Sequence, residues 1–412
     1  MVNLGGMVAP IHGMVAPGFE VVQDEFVRNF TERGELGAAC AIYYQGQKVV
    51  DLWGGYRDEQ TQAPWEEDTL VIVFSSTKGV AGLTMAVAHA QGLFDYDAPV
   101  ARYWPEFAQA GKERITIRQL LAHQAGLCVI DEPLNSDILA DPDALAAILA
   151  RQKPAWQPGT RHGYHAFSLG WYESEIIRRT DAQRRTLGQF FQSELAKPLG
   201  LEFYIGVPEG MPEERIATVT EPGPLQKLVG MPRGMMLSAL RPGSLTLRVA
   251  NPRVRSNLVF NRLPYRAVEM PSVNGIGQAR SIAKAYSVFA TGGKELNITA
   301  RTLAALQAPA VPPSVGGWRD VILHMDIAYA LGFLKPFSGY HFGSSDAAFG
   351  APGSGGSFGF ADPDAQVGYA YVMNKQGTGI LDDPREKVVR DAFYQCLKER
   401  GASSPHDLGI IK

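Results

Sequence analysis

Two side chains three positions apart, Ser75 and Lys78, are the pair in this sequence best suited to covalent chemistry. On a helix, residues i and i+3 lie on one face, and a helix that begins at Ser75 would hold the hydroxyl at its electropositive end. A serine hydroxyl is a weak nucleophile until a base removes its proton, and a lysine whose pKa is lowered by burial can be that base. The spacing therefore predicts acyl transfer with Ser75 as nucleophile and Lys78 as activator.

The same spacing occurs a second time, at Ser281 and Lys284. That pair lies in a segment whose apolar residues recur at helical spacing, and we interpret it as an ordinary helix. Because Ser-x-x-Lys alone is weak evidence for catalysis, the surrounding residues must separate the two matches.

The elements that would position these residues follow from the apolar pattern. Two β-rich runs, 38–44 and 48–53, flank Gly46 and predict a hairpin near one end of the chain. A second pair of β-rich runs, 356–361 and 367–372, predicts another hairpin near the other end. Apolar residues at helical spacing predict helices over 19–33, 80–91, 117–123, 143–152, 169–179, 187–196, 279–290, 302–308 and 384–400.

Strands therefore cluster near both ends of the chain, and helices lie between them. This order predicts an α/β (α+β) fold in which an antiparallel sheet is flanked by helices and a largely helical domain is inserted. Residues 19–80 and 315–402 would form the discontinuous α/β domain, and residues 81–314 the mainly helical domain with loops over the cleft. Residues 1–18 are expected to form an extended arm, and residues 241–275, which lack periodicity, a long loop that shapes specificity.

Four segments occur in an order that resembles a known family: Ser75–Gly79, Ile117–Leu127, Pro158–Ala166 and Ala351–Pro363. They are similar to the motifs of the serine β-lactamase and penicillin-binding-protein superfamily, closest to class C enzymes and the family VIII carboxylesterases. The resemblance extends from about residue 19 to residue 400. It implies the β-lactamase/penicillin-binding-protein fold and a serine hydrolase activity.

The resemblance also assigns roles within the site. Tyr164 would be the second activating group, since a phenol hydrogen-bonded to Ser75 can share the general-base role and later protonate the leaving alkoxide. The oxyanion hole would consist of the backbone N–H groups of Ser75 and Ser354. Gly353 and Gly355 would let the substrate approach the strand backbone closely.

Other side chains near these motifs are candidates for the substrate pocket. His165 is expected in the wall of the cleft, and Trp156 and Tyr340 are expected to line the pocket as aromatic walls. His123, in the second matching segment, is expected to brace the helical domain rather than to react.

Two motifs depart from those of a working β-lactamase. Ala351-Pro352-Gly353 stands where Lys-Thr-Gly is usual, and Tyr164-His165-Ala166 where Tyr-x-Asn is usual. In β-lactamases the Lys and Thr help to hold the drug's carboxylate, and Ala351 offers neither a charge nor a hydroxyl for it. The departures favour a carboxylesterase that acts on small to medium neutral acyl esters. A β-lactamase, D-amino-acid peptidase or amidase that uses the same site is the alternative, and a non-catalytic binding protein a more distant one.

Ser357 is a rival nucleophile. The run Gly355-Gly356-Ser357-Phe358-Gly359 satisfies the Gly-x-Ser-x-Gly pattern of α/β-hydrolases, and Asp383 and His406 follow in the order of a triad. That motif needs a strand, a sharp turn and then a helix, whereas the residues from Phe358 onward are predicted to continue a strand. We therefore interpret Ser357 as non-catalytic.

The composition is that of a globular protein, with 45% hydrophobic residues, 20% charged residues and a net charge of −3 over 412 residues. No run of basic residues points to nucleic acid, and no apolar stretch approaches the ~20 residues that span a bilayer. The first residues lack the basic and apolar segments of a secretory signal, which predicts a cytoplasmic protein without a membrane partner. No metal or organic cofactor is expected, the partner should be a small-molecule ester, and the oligomeric state stays open.

Overall fold

The computed structural model describes residues 2–4, 7–251 and 256–402 of the chain. Its strands are β1 Val2–Leu4, β2 Met7–Ala9, β3 Ile11–Val15, β4 Gly37–Tyr44, β5 Gln47–Gly55, β6 Val71–Ile72, β7 Phe203–Ile205, β8 Gly275–Gly277, β9 Phe349–Pro352, β10 Phe358–Asp362 and β11 Val367–Met373. Its α-helices are α1 Glu20–Glu32, α2 Ser76–Ala90, α3 Ile117–Leu121, α4 Ser136–Ala140, α5 Pro142–Arg151, α6 Ser168–Thr180, α7 Leu187–Phe191, α8 Lys197–Leu199, α9 Pro224–Gly230, α10 Arg233–Ala239, α11 Leu245–Arg248, α12 Leu263–Ala267, α13 Ala279–Ala290, α14 Ala300–Gln307 and α15 Pro384–Ala402. A π-helical turn, Gln192–Ala196, joins α7 to α8.

The main sheet of the described residues unites the two ends of the chain. Its strands are antiparallel and lie in the order β3-β5-β4-β11-β10-β9. The β4–β5 hairpin turns at Gln45 and Gly46, whose φ angles of 52° and 77° are typical of a tight two-residue hairpin. Both predicted hairpins and the antiparallel sheet are confirmed.

Helices cover both faces of this sheet. On one face, α1 and α15 pack on each other and on strand aromatics such as Tyr369, with Phe19 and Phe393 stacked at 5.3 Å between ring centroids. On the other face, α13 lies against β4, β10 and β11. A side chain at Gly368 would come within 2.4 Å of the Ala283 carbonyl oxygen, so the close approach of α13 to β11 requires glycine there.

Helix α2 forms the centre of the molecule. Every residue from Ser76 to His89 is buried, because the helix is apolar on all sides and packs on α6, α7, α13, α14 and β9. A small antiparallel sheet of order β6-β8-β7 lies before its first turn, and the Val73 N–H donates to the Gly275 carbonyl oxygen at 2.9 Å. Because the helix is enclosed in this way, the packing around it fixes the position of Ser75 at its start.

Three predictions about the organisation of the chain need correction. The arm predicted over residues 1–18 contains β3, which pairs with β5 as an edge strand of the main sheet. The predicted helical domain, 81–314, includes α13, which packs on the sheet and so belongs with the α/β part. Residues 241–275 contain α11, α12 and the start of β8 rather than a continuous loop, since elements of three to five residues leave no readable periodicity.

Candidate active site

The turn before α2 presents Ser75. Phe74 has a φ of 47°, a left-handed conformation that is unusual for an aromatic residue and that concentrates at functional sites. The Ser76 and Thr77 N–H groups donate to the carbonyl oxygens of Val73 and Phe74, at 3.1 and 2.9 Å. Ser75 is the N-cap residue of α2, and this turn fixes its backbone at the electropositive end of the helix.

Ser357, directly before β10, supports that turn. Its hydroxyl is buried, donates to the Val73 carbonyl oxygen at 2.8 Å and lies 3.1 Å from the Ser76 hydroxyl. The residues after Ser357 continue as strand β10 instead of forming a helix. The Gly-x-Ser-x-Gly match thus lacks the geometry of a nucleophile elbow. His406, the candidate histidine of that triad, lies outside the described residues.

Lys78 is buried behind Ser75. Its Nζ lies 3.2 Å from Ser75 Oγ and donates to the carbonyl oxygens of Ala166 and Ser272 at 2.8 and 2.9 Å. Burial lowers the pKa of Lys78 to about 7, although the buried carboxylate of Glu173 acts in the opposite direction. A neutral Lys78 amine has two N–H bonds and one lone pair. The N–H groups can donate to the two carbonyl oxygens, which leaves the lone pair for the Ser75 hydroxyl.

Tyr164 completes the group around Ser75. Its hydroxyl hydrogen-bonds with Ser75, and its ring centre lies 4.7 Å from Lys78 Nζ. Burial raises the pKa of Tyr164 to about 12, while the bond to Ser75 lowers it by a smaller amount. The phenol is therefore protonated at neutral pH and available as a proton donor.

Asp320, which the sequence analysis missed, holds Tyr164 in place. Its buried carboxylate accepts hydrogen bonds from the Tyr164 N–H, from the Ile322 and Leu323 N–H groups at 2.8 Å, and from the Tyr329 hydroxyl at 2.8 Å. Burial raises the pKa of Asp320, and these hydrogen bonds lower it. Asp320 lies outside the family-like motifs and far from Tyr164 in the sequence, so the sequence gives no signal of this role.

His123 and His165 support the same segment from the side of the helical domain. His123, at a positive φ of 59°, accepts at Nδ1 from the His165 N–H at 3.1 Å, and its carbonyl oxygen accepts from the Gly163 N–H at 3.0 Å. The His165 ring is fully buried and donates to the Gly163 carbonyl oxygen at 2.7 Å. Burial lowers the pKa of His165 to about 3, so both rings act here as neutral supports of the turn that carries Tyr164.

Glu173 is a second residue that the sequence analysis missed. It lies on α6, is fully buried, and both of its carboxylate oxygens lack a hydrogen-bond partner in the described part of the chain. Burial raises its pKa to about 8, and the charge of Lys78 lowers it. Burying a carboxylate without hydrogen-bond partners costs free energy. This carboxylate interacts electrostatically with the buried amine of Lys78.

The turn between β9 and β10 forms the opposite side of the site. Ser354 is held by the Gln376 side chain, which donates to its carbonyl oxygen at 3.1 Å. Gly355, at a φ of 87°, packs so closely on Gln376 that an added Cβ would lie 2.6 Å from the Gln376 Cβ. Among the described residues, the Ser75 and Ser354 N–H groups have no acceptor, which leaves both able to bind a substrate oxygen.

A cavity of about 360 Å³ opens over Ser75. Tyr164, Gly353 and Ser354 line it near the serine, and one charged side chain of its wall, Lys227, is paired with Glu221 at 2.6 Å. The remaining wall is mostly apolar and includes Met231, Met235, Val249, Ile322, Leu323, Ile327, Leu334, Ile380 and Leu381.

Four predicted substrate-contacting residues do not line this cavity, and one of them, Gly355, packs on Gln376 instead. His165 supports the Tyr164 turn, as described above. Tyr340 is buried among Phe342 and Phe358 in the aromatic core of the sheet, because β9–β11 need large side chains on that face. Trp156 packs on Gly163 and donates from its indole to the Arg161 carbonyl oxygen at 3.1 Å.

The second Ser-x-x-Lys match has a structural role. Ser281 and Lys284 lie on α13, where the Ser281 hydroxyl accepts from the Glu202 N–H at 2.8 Å and Lys284 donates to the Leu199 carbonyl oxygen at 2.8 Å. Neither side chain bonds the other. In the described ranges, no group of His, Cys, Asp and Glu side chains is arranged to hold a metal ion, and no helix is both long and apolar enough to span a membrane.

Comparison with known proteins decides the family. The family model described as Beta-lactamase matches residues 24–392. The chain belongs to the Beta-lactamase family. It is similar to the esterase/beta-lactamase LipL of Mycobacterium tuberculosis, with 31% identity over 405 residues that cover 96% of this chain and 89% of the relative.

Two solved structures share the fold of this family member over nearly its whole length. A family VIII carboxylesterase is 36% identical, with a TM-score of 0.83 over 94% of this chain and 100% of that chain. EstA from Arthrobacter nitroguajacolicus is 31% identical, with a TM-score of 0.81 over 95% of this chain and 100% of that chain. The predicted fold, family and serine hydrolase class are therefore confirmed.

The packing around Gly353 gives a test of the site's construction. In Gly353→Ala the added Cβ would lie 2.2 Å from Ser357 Oγ and 2.3 Å from the Val73 carbonyl oxygen, which belongs to the turn that holds Ser75. We expect a loss of about 1–3 kcal/mol in the free energy of unfolding, measured in urea, together with reduced activity. Gly223→Ala is the control, because its Cβ would approach nothing closer than Gln226 Oε1 at 3.7 Å. Equal stability of the two variants would contradict this packing.

Proposed function

We propose that this family member is a carboxylesterase that hydrolyses small to medium neutral acyl esters through an acyl-enzyme on Ser75. The proposal rests on the contact of 3.2 Å between Lys78 Nζ and Ser75 Oγ, beside a mostly apolar cavity. The names of the similar proteins, a carboxylesterase and an esterase/beta-lactamase, support ester hydrolysis.

Lys78 is the general base of the proposed reaction. With a pKa of about 7 it is largely the free amine at slightly alkaline pH, whereas Tyr164, with a pKa of about 12, is almost entirely the neutral phenol. A base works best when its pKa lies near the working pH. The shared general-base role expected for Tyr164 thus becomes mainly that of a proton donor.

The reaction then proceeds in two halves. Ser75 Oγ attacks the ester carbonyl as its proton passes to Lys78, and the tetrahedral oxyanion is bound by the N–H groups of Ser75 and Ser354. The bond to the alcohol oxygen breaks as Tyr164 gives that oxygen a proton, and the Lys78 ammonium restores the proton to the phenol. Water attacks the acyl-enzyme in the same way, and the acid leaves as Ser75 regains its proton.

The charge of the cavity favours neutral esters over substrates with a carboxylate. Ala351 and Pro352 occupy the positions where a β-lactamase has Lys and Thr, and the Lys227 charge is already neutralised by Glu221. A substrate carboxylate would enter a mostly apolar wall without a charged partner, which costs free energy. An ester pays no such cost, so ester hydrolysis fits this cavity better than β-lactam hydrolysis.

The nucleophile assignment is tested with two serine variants. Ser75→Ala should lower kcat/KM for short p-nitrophenyl esters by a factor of about 10³ or more, because no covalent intermediate can form. Ser357→Ala should keep most of the activity and lose about 1 kcal/mol of stability, since it removes only the hydrogen bond to Val73. Loss of activity in Ser357→Ala alone would overturn the mechanism.

The pH profile tests the role of Lys78. The Glu173 carboxylate raises the pKa of Lys78, so Glu173→Gln should lower that pKa and extend activity to lower pH. The acid limb of log kcat/KM against pH is the measurement. Glu175→Gln is the control on the same helix, because its carboxylate is engaged by Arg178 and Arg179 at 2.6 Å. An acid limb that moves to higher pH in Glu173→Gln would show that Lys78 is not the titrating base.

A further inference from the structure

Two neighbouring parts of the chain, residues 222–251 and 256–268, which we together call the basic stretch, have an unusual composition. They contain one Lys, five Arg and no Asp or Glu, in a protein whose net charge is −3. The basic residues are spaced singly among Leu, Val and Met, which is why no charge run is visible in the sequence.

The basic stretch also carries most of the exposed large apolar side chains of the described structure. Nine of fourteen such residues lie in it, and Val229 and Leu225 are 79% and 74% exposed. The others are Leu228, Leu237, Leu240, Leu247, Leu258, Leu263 and Tyr265. Exposed apolar residues concentrated in this way mark an interaction surface, whereas single ones scattered over a protein do not.

The helices of the basic stretch have distinct inner and outer residues. On α9, Leu225, Leu228 and Val229 are spaced i, i+3 and i+4, so they share one face. Met231 and Met235, in contrast, line the cavity over Ser75. Residues in and next to these short helices therefore form part of the wall of the active-site cavity and an outer apolar surface.

Unpaired charge accompanies this apolar surface. Three of its basic side chains are neutralised by acids outside the stretch, in the pairs Lys227–Glu221, Arg248–Asp131 and Arg266–Glu213. Arg233, Arg241 and Arg262 are exposed and, among the described residues, form no ion pair. On and just after α10, Arg233, Leu237 and Arg241 follow one another at i+4 spacing, which sets positive charge beside exposed leucine.

We propose that the basic stretch docks the enzyme on an anionic lipid surface, with the cavity wall next to the contact. Exposed Leu and Val among Arg are the features of a segment that lies in a membrane interface, where apolar side chains enter the acyl boundary and cations meet lipid phosphates. A second copy of the chain would bring like charges together, and nucleic acid would leave the leucines exposed to water. The docking is peripheral and does not depend on the proposed esterase function.

Vesicle flotation tests the proposal with the full chain. The protein should float with vesicles of phosphatidylcholine mixed with phosphatidylglycerol, and bind far less to phosphatidylcholine alone. The double variant Arg233→Gln with Arg241→Gln should bind the anionic vesicles about 20- to 30-fold more weakly, at about five-fold for each charge removed. Arg114→Gln with Arg161→Gln removes the same charge from exposed positions outside the stretch and should bind like the unaltered protein.

A second pair of variants tests the apolar part. Val229→Asp should weaken binding, whereas Val311→Asp, at an equally exposed valine outside the stretch, should not. All variants should keep their hydrolysis of a soluble p-nitrophenyl ester, which shows that they are folded. Absence of vesicle binding, equal binding to both vesicle types, or equal losses in test and control variants would overturn the proposal. Concentration-dependent dimers or nucleic-acid complexes that the arginine variants abolish, without vesicle binding, would also overturn it.

Discussion

The site depends on keeping the Lys78 amine away from water and next to Ser75. Its hydrogen-bond partners come from three segments: the serine at the start of the same helix, Ala166 after the Tyr164 turn, and Ser272 before β8. Each of these segments is itself held by buried contacts. Because an ammonium in this position loses its hydration, burial lowers the pKa of Lys78 and makes it a usable base near neutral pH.

The supporting structure is arranged around the two activating groups rather than around the substrate. Asp320 holds the backbone of Tyr164, and Ser357 holds the turn that carries Ser75. The cavity, by contrast, is lined mainly by apolar side chains between residues 231 and 381. This division separates the residues that set the chemistry from those that set which ester fits.

Much of this could be predicted from the sequence because the signals are local. Ser75 and Lys78 lie in one turn of a helix, and the hairpins near both ends have clear alternation and turn residues. What could not be predicted depends on contacts between distant segments. The sequence around Tyr340 would look the same whether this residue packed in the core or lined a pocket. Glu173 on α6 cannot be told from an ordinary helical glutamate until its burial is known. The short helices of residues 224–248 were likewise hidden, because their apolar residues lie both toward the cavity and on the outer surface and so show no single apolar face.

The central claim is that a buried, neutral Lys78 makes Ser75 the nucleophile. The most direct measurement is reaction with an active-site-directed phosphonate ester, followed by intact-mass analysis and peptide mapping of unaltered protein and Lys78→Met. The account predicts a single adduct on Ser75, formed much more slowly in Lys78→Met. An adduct on Ser357, no adduct at all, or equal rates in the two proteins would contradict it.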